Sequence, residues 1–312
     1  MLTCRIPADA RGKTLLDYLS TRFRYHDRDA WQRELSAGRV RLGDQPARGH
    51  ETLRTGMRLA YTKLHREPPV DDRFTVLHRD DALVVVDKPA HLPVHADGPF
   101  QRHTLIALLR ERLGDPELQL PHRLDRETSG VCLVARDKVV QAAIQQQFAS
   151  STVHKVYLAV VHGHVAAPFV ADQPIGLSSQ SEVKIRRSAA TDATATRPAR
   201  TRFTPLRHGP QHSLVQCEPE TGRTHQIRVH LEAAGHPVLG DKLYGRADAD
   251  YLAFVHRSKA GHDVRLGDPT RPDLPHRQLL HAWRISLTHP STGEQVTYEA
   301  PLPEEFEHWL QA

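Results

Sequence analysis

The chain has 312 residues, a quarter of them charged, with 22 prolines, three cysteines and a net charge of +5. That length allows one large or two ordinary domains, and no uninterrupted apolar run approaches the roughly 18 residues a membrane helix needs, so a membrane protein is not expected. The N-terminus carries charges where a signal peptide would be apolar, and Cys4, Cys132 and Cys217 form no Cys-x-x-Cys pair. A cytoplasmic chain with reduced thiols and no structural zinc is expected.

Residues 1–66 hold 14 Lys and Arg against 7 Asp and Glu, a surplus of seven positive charges, whereas the rest of the chain sums to −2. Such a surplus suits an appended nucleic-acid-binding module, although a charge run by itself is more often a solvated face. Within this part, Leu15, Leu16, Leu19 and Phe23 recur at helical spacing, and 31–37 gives a second short helix. Residues 38–42 alternate like a strand, Gly43-Asp44 turns, and 57–61 reads as another strand. The run Leu64-His-Arg-Glu-Pro-Pro-Val-Asp-Asp-Arg73 has two prolines, five charges and little to bury. It divides a module at 1–66 and a linker at 67–73 from a domain at 74–312.

Beyond it, 74–77 and 82–86 read as strands around an Arg79-Asp-Asp81 turn. Helices suit 104–113 and 137–148, the latter with Asp137 as N-cap and Val140, Ala143, Ile144 and Phe148 on one face. Strands suit 131–135, 154–161, 200–207 and 212–218, followed by a helix at 224–234 closed by Gly235. A hairpin, 283–288 and 294–300, and a short helix from Pro303 end the chain. Residues 176–200 are polar and read as a mobile loop. Residues 245–278, with Arg257-Ser-Lys-Ala-Gly-His262 and three late prolines, read as a surface loop or, more sharply, an RNA-contacting arm. Helices and antiparallel strands mixed without a β-α-β rhythm indicate α+β.

The stretch Pro121-His-Arg-Leu-Asp-Arg-Glu-Thr-Ser-Gly130 sets Asp125 between two arginines in a polar turn. An Asp before Thr-Ser-Gly often just bonds backbone amides. Arg123 and Arg126 would also hold it ionised, as a nucleophile or base near neutral pH requires. Four further blocks stand in order along the chain, the first before this stretch and three after it: Asp87-Lys-Pro89 with Pro93-Val-His95; Lys155-Val-Tyr157; Glu220-Thr-Gly-Arg-Thr-His-Gln-Ile-Arg-Val-His230 with Gly235-His-Pro-Val-Leu-Gly-Asp241; and Leu279-Leu-His-Ala282. Five ordered blocks over roughly 74–300 resemble the RluA-type pseudouridine synthases.

That resemblance implies a pseudouridine synthase fold with a mixed, mostly antiparallel central sheet and flanking helices. It implies RNA as partner, a monomer, and no cofactor or metal, since the reaction cuts uracil from ribose at N1 and rejoins it through C5. Asp125 would be the catalytic carboxylate, adding to the ribose or taking a sugar proton. Tyr157 would stack on the uracil and assist proton transfer at C5, and Arg223 would be the basic partner paired with Asp125. Arg123 would fill the gap left by the flipped base, and His122, Arg126, Thr224 and Leu280 would bind substrate. Residues 1–66 resemble the alpha-L RNA-binding module, which would aim Arg28, Arg33, Arg39 and Arg41 at RNA, although Leu15 and Gly43-Asp44 depart from its pattern. The module favours large-subunit ribosomal RNA; Pro93-Val-His-Ala-Asp-Gly98 with Arg102-His-Thr104 is also similar to members acting on transfer RNA. His91 stands where relatives often have glycine.

Two other classes compete. A non-catalytic RNA-binding or ribosome-assembly protein would be expected to lack Asp125 or Tyr157. A metal hydrolase would need aligned ligands, and His225 and His230 are five apart, not four.

Overall fold

The structure is a computed structural model that describes every residue except 24–25, 63–66, 190 and 260–262. Parts of the boundary run 64–73 and of the basic stretch 257–262 therefore lie outside the described residues. The chain forms two compact units, Met1–Arg66 and Glu67–Ala312.

In the first unit, helix Leu15–Arg22 begins at Thr14, whose hydroxyl accepts the Asp17 N–H, and helix Arg28–Ser36 begins at Asp27, whose carboxylate accepts the Ala30 N–H. The Asp27 cap explains why the second helix starts ahead of the apolar pattern at Trp31. A four-stranded antiparallel sheet runs Leu2–Arg5, Arg58–Tyr61, Val40–Leu42, Gln45–Pro46. The strand Leu2–Arg5 is largely exposed; Cys4 alone of its residues packs against the core, and antiparallel pairing with Arg58–Tyr61 holds the rest. Leu15, Leu19, Trp31, Leu35, Val40 and Leu59 make the core.

The second unit is built on a nine-stranded sheet. Its order is Thr75–Arg79, Leu83–Lys88, Ser129–Ala135, Leu280–Thr288, His154–His162, His212–Pro219, Thr201–His208, Phe169–Ala171, with Gln295–Glu299 also on Leu280–Thr288. Among the described residues of this sheet only Ser129–Ala135 with Leu280–Thr288 pairs in parallel; the other pairs are antiparallel, three of them hairpins of consecutive strands and the rest long-range pairings that bring distant segments side by side. Alternation sends Val84, Val86, Cys132 and Val134 against helix Leu105–Leu113. It sends Leu83, Val85, Val131 and Leu133 against Ile144 of helix Lys138–Ala149. Both faces are covered, which is why 131–135 reads as a continuous apolar run.

Gly130 sits where the parallel pair meets. Its φ is +106°, and a Cβ there would lie 2.2 Å from the Ala282 carbonyl oxygen. Gly130→Ala is expected to cost at least about 2 kcal/mol from backbone strain and clash, measured as a lower thermal midpoint; an unchanged midpoint would contradict this account of the close approach.

Two expectations need correction. Residues 176–200 are not a mobile loop: Ile175–Ser178 pairs antiparallel with both Arg187–Ser188 and Ala193–Arg197. This arm is pinned by Ile175, Val183 and Ala199 packing on Val229, Leu243 and Tyr244, and by Arg186, which pairs with Glu232 and Asp248. Those partners are distant in sequence, so the local polar composition hid the structure. The surface-loop reading of 245–278 likewise fails, since helix Asp248–Lys259 and a short 3-10 turn at Val264–Leu266 occupy much of it. Asp248 and Asp250 suit the positive end of that helix.

Residues 67–73 belong to the second unit, where the Glu67 carboxylate accepts the N–H groups of Gln101, Arg102 and His103. No helix among the described residues is long and apolar enough to cross a membrane.

Candidate active site

Asp125 occupies the turn before strand Ser129–Ala135, where its carbonyl accepts the Thr128 N–H at 3.1 Å. Buried polar contacts fix that turn. Lys242 donates to Glu127 at 2.8 Å, and the Gln278 side chain donates to Thr128 at 2.8 Å. Fully buried Lys88 donates to the carbonyls of Pro89, Leu92 and Arg126 at 2.8, 2.9 and 3.1 Å. Burial pulls the Lys88 ammonium down to about 7. Each of these donors is satisfied, so the turn can be both polar and rigid.

The ion pair on Asp125 corrects the expectation of Arg223. Arg223 lies in the turn before helix Gln226–Ala233, and its Nε donates to the Pro198 carbonyl at 2.8 Å. Arg228, inside that helix, donates from Nη1 to Asp125 Oδ2 at 2.8 Å. Its Nε and Nη2 grip Asp241 at 2.6 and 2.8 Å, so one guanidinium bridges two carboxylates. Arg228 is 8% exposed and Asp241 is fully buried, whereas Asp125 keeps 27% of its side chain accessible. Burial alone would raise the Asp125 carboxyl, but the charges of His225 and Arg228, the Arg228 hydrogen bond and Arg123 bring it below its ordinary value. Because burial holds His225 at about 4, its imidazole is uncharged near neutrality, and Arg228 is the cation that acts there.

Asp125 faces a cavity of about 650 Å³. Tyr157, Arg123, Thr224, Leu280, His122 and Arg223 share its wall. Tyr157 projects from strand His154–His162, and its hydroxyl makes no hydrogen bond among the described residues, leaving it available to a bound molecule. Burial, and then the negative charge of Asp125, push its phenol up, so it enters any reaction protonated. Arg123 is exposed at the rim, 3.3 Å from the His95 ring. An ionised carboxylate, a protonated phenol and an exposed guanidinium around one open cavity suit acid–base or nucleophilic work on a planar, polar substrate.

The RNA pseudouridylate synthase family profile matches residues 82–233. The ribosomal large subunit pseudouridine synthase D of Xanthomonas campestris is 33% identical over 98% of this chain and 91% of its own length. The protein of the same name from Nitrosomonas europaea is 39% identical over 76% of this chain, the match spanning 64% of that protein. Human RNA Pseudouridylate Synthase Domain Containing 1 superposes with a TM-score of 0.58 at 28% identity, covering 75% of this chain and 86% of that one.

The chain belongs to the RNA pseudouridylate synthase family.

As a pseudouridine synthase it is an isomerase acting on RNA. Within the synthase, two substrate-binding expectations change. Arg126 does not line the cavity: it turns to Glu127 at 3.4 Å and lies 5.7 Å from the Phe100 ring centre. His122 reaches the wall, but its Nε2 accepts the Leu133 N–H at 2.9 Å and its ring stacks on Phe148, so it holds the strand beneath the site. His91 takes the left-handed φ of +62° that a glycine would adopt freely. In the first unit, Arg28 pairs with Asp17 at 2.5 Å and Arg39 grips Glu34 at 2.6 and 2.7 Å. Arg41 donates to the Asp44 carbonyl, and Arg33 is exposed.

Sequence reasoning missed Arg228, Asp241, His225 and Tyr244. A signal existed: Arg228 lies between Ile227, Val229 and Leu231, and an arginine in a buried stripe needs a carboxylate. Asp241 was the carboxylate at the end of a quoted block. His225 and His230 do not converge, since His230 is committed to Thr201 and the Gln173 carbonyl. No group of three or more His, Cys, Asp or Glu among the described residues could hold a metal ion.

Proposed function

We propose that this synthase isomerises uridines of large-subunit ribosomal RNA, with Asp125 as the catalytic carboxylate, Tyr157 against the uracil and Arg123 in the gap left by the flipped nucleotide. The observation that carries this reading is the Asp125–Arg228 pair at the wall of an open cavity shared with Tyr157 and Arg123. A fixed, ionised oxygen beside the sugar serves either chemical route, and a planar guanidinium at the rim can stack where a base has left. Arg223, Thr224 and Leu280 line the same cavity and would touch the flipped nucleotide. The names of the Xanthomonas and Nitrosomonas relatives support ribosomal RNA as the target. The same reading makes the protein a cytoplasmic monomer that needs no cofactor.

Chemical mapping of pseudouridines in cells with and without the gene is the test. Sites lost from large-subunit RNA are expected; sites lost from transfer RNA alone would overturn the target.

The basic unit at 1–66 would anchor the RNA, with Arg33 the most available of the four arginines. Removing residues 1–66 is expected to weaken RNA binding and flatten its dependence on salt, because fewer counterions are released. A filter-binding series with an unchanged salt slope would show that this unit is no anchor.

A further inference from the structure

Arg228 occupies only one oxygen of Asp125. The other, Oδ1, faces Nε2 of His225 at 4.0 Å. His225 precedes helix Gln226–Ala233 with a left-handed φ of +60°, which swings its ring under the cavity. The other ring nitrogen, Nδ1, is 2.8 Å from the hydroxyl of Tyr244. That hydroxyl accepts the backbone N–H of Arg187 at 3.1 Å, so its own proton is free to point at Nδ1. An uncharged imidazole whose Nδ1 accepts carries its hydrogen on Nε2. Arg187 lies in the three-stranded arm, which Arg186 ties to the segment around Tyr244 through the carbonyls of Leu243 and Arg246.

We propose that His225 is a positioning residue: Tyr244, set by the Arg187 amide, directs the His225 Nε2–H at Asp125 Oδ1, and so couples the placement of the 175–197 arm to the carboxylate. The inference rests on the proposed role of Asp125. At 4.0 Å the N–H is too far for a hydrogen bond, but a shift of about 1 Å closes it. Once that gap closes, with Oδ2 held by Arg228 and Oδ1 met by His225, the carboxylate is kept from rotating and the reacting oxygen is presented in one direction. The charged and titratable groups facing His225 are Arg228, Asp125, Asp241 and Arg187, with the Tyr244 hydroxyl on Nδ1.

Three variants test this on the full chain. His225→Asn keeps a residue that tolerates the left-handed backbone but withdraws the donor from Oδ1. His225→Gln returns an amide N–H near the Nε2 position. Tyr244→Phe leaves His225 but removes the proton that sets its tautomer. Activity is read as tritium released from C5 of labelled uridine in unmodified large-subunit ribosomal and transfer RNA transcripts. A hydrogen bond to a charged group is worth about 10- to 100-fold in rate, and His225→Asn is expected to lose that much kcat with little change in KM. His225→Gln is expected to recover most of the loss, and Tyr244→Phe to fall between. Nitrogen NMR of the imidazole in the wild-type protein is expected to show hydrogen on Nε2.

Hydrogen on Nδ1, or wild-type kcat in His225→Asn, or His225→Gln no better than His225→Asn, would each overturn the proposal. Wild-type protein that releases no tritium, or Asp125→Asn that releases it normally, would instead reject the role of Asp125 beneath it.

Discussion

Asp125→Asn is expected to abolish isomerisation, lowering kcat by at least about 10⁴-fold, while RNA affinity stays within severalfold. The amide has nearly the shape of the carboxylate but neither the charge to meet the sugar nor the basicity to take a proton. Asp125 is partly accessible and Arg228 retains its bidentate grip on Asp241, so the variant should fold. Tritium release and RNA binding measured on one preparation separate the two effects. Retained turnover would remove Asp125 from the chemistry; lost binding with it would place Asp125 in recognition instead.

Arg228→Met is expected to damage both stability and activity. Asp241 is wholly buried and would lose its guanidinium, keeping only the N–H donors of Leu243 and Tyr244. Breaking a buried pair by removing one partner costs about 3–5 kcal/mol, a fall readily seen in thermal melts. The sign of the pH effect follows from the charge. Arg228 lowers the Asp125 carboxyl, so its loss raises it, and the acid limb of the rate profile should move toward neutral pH. In the wild type, the stability from this depressed carboxyl is fully present above the ordinary carboxylate range and is lost as pH falls through the lowered value. An unchanged acid limb in a folded Arg228→Met protein would mean that another group holds the Asp125 charge.

Asp125, Arg123, Tyr157 and Leu280 were legible through the resemblance of their blocks to the family, since on local pattern alone a turn aspartate and a strand tyrosine read as structural. Asp125 and Arg123 share one turn. Tyr157 alternates out of an apolar strand, and Leu280 follows from the last block. All four line one cavity. The sheet was legible for a local reason: runs such as 82–86 and 131–135 are short, continuous, apolar and rich in valine, as strands buried on both faces are. The arm at 175–197 was not, since its short strands carry Ser, Thr and Arg, and its anchors are Tyr244, Glu232 and Asp248, which only folding brings near.

The arginines mark the division. The sequence by itself determined that a carboxylate would sit among cations in a polar turn feeding a buried strand, because side-chain charge and a short continuous apolar run are properties of neighbours along the chain. Which cation would hold it was settled only by tertiary structure. Arg223, Arg126 and Arg228 are alike as residues, but the direction of helix Gln226–Ala233 and the burial of Asp241 give Arg228 two carboxylates at once. Arg223 is left with a carbonyl and Arg126 with Glu127. Ion-pair choice depends on distance and desolvation, and neither exists until the chain has folded.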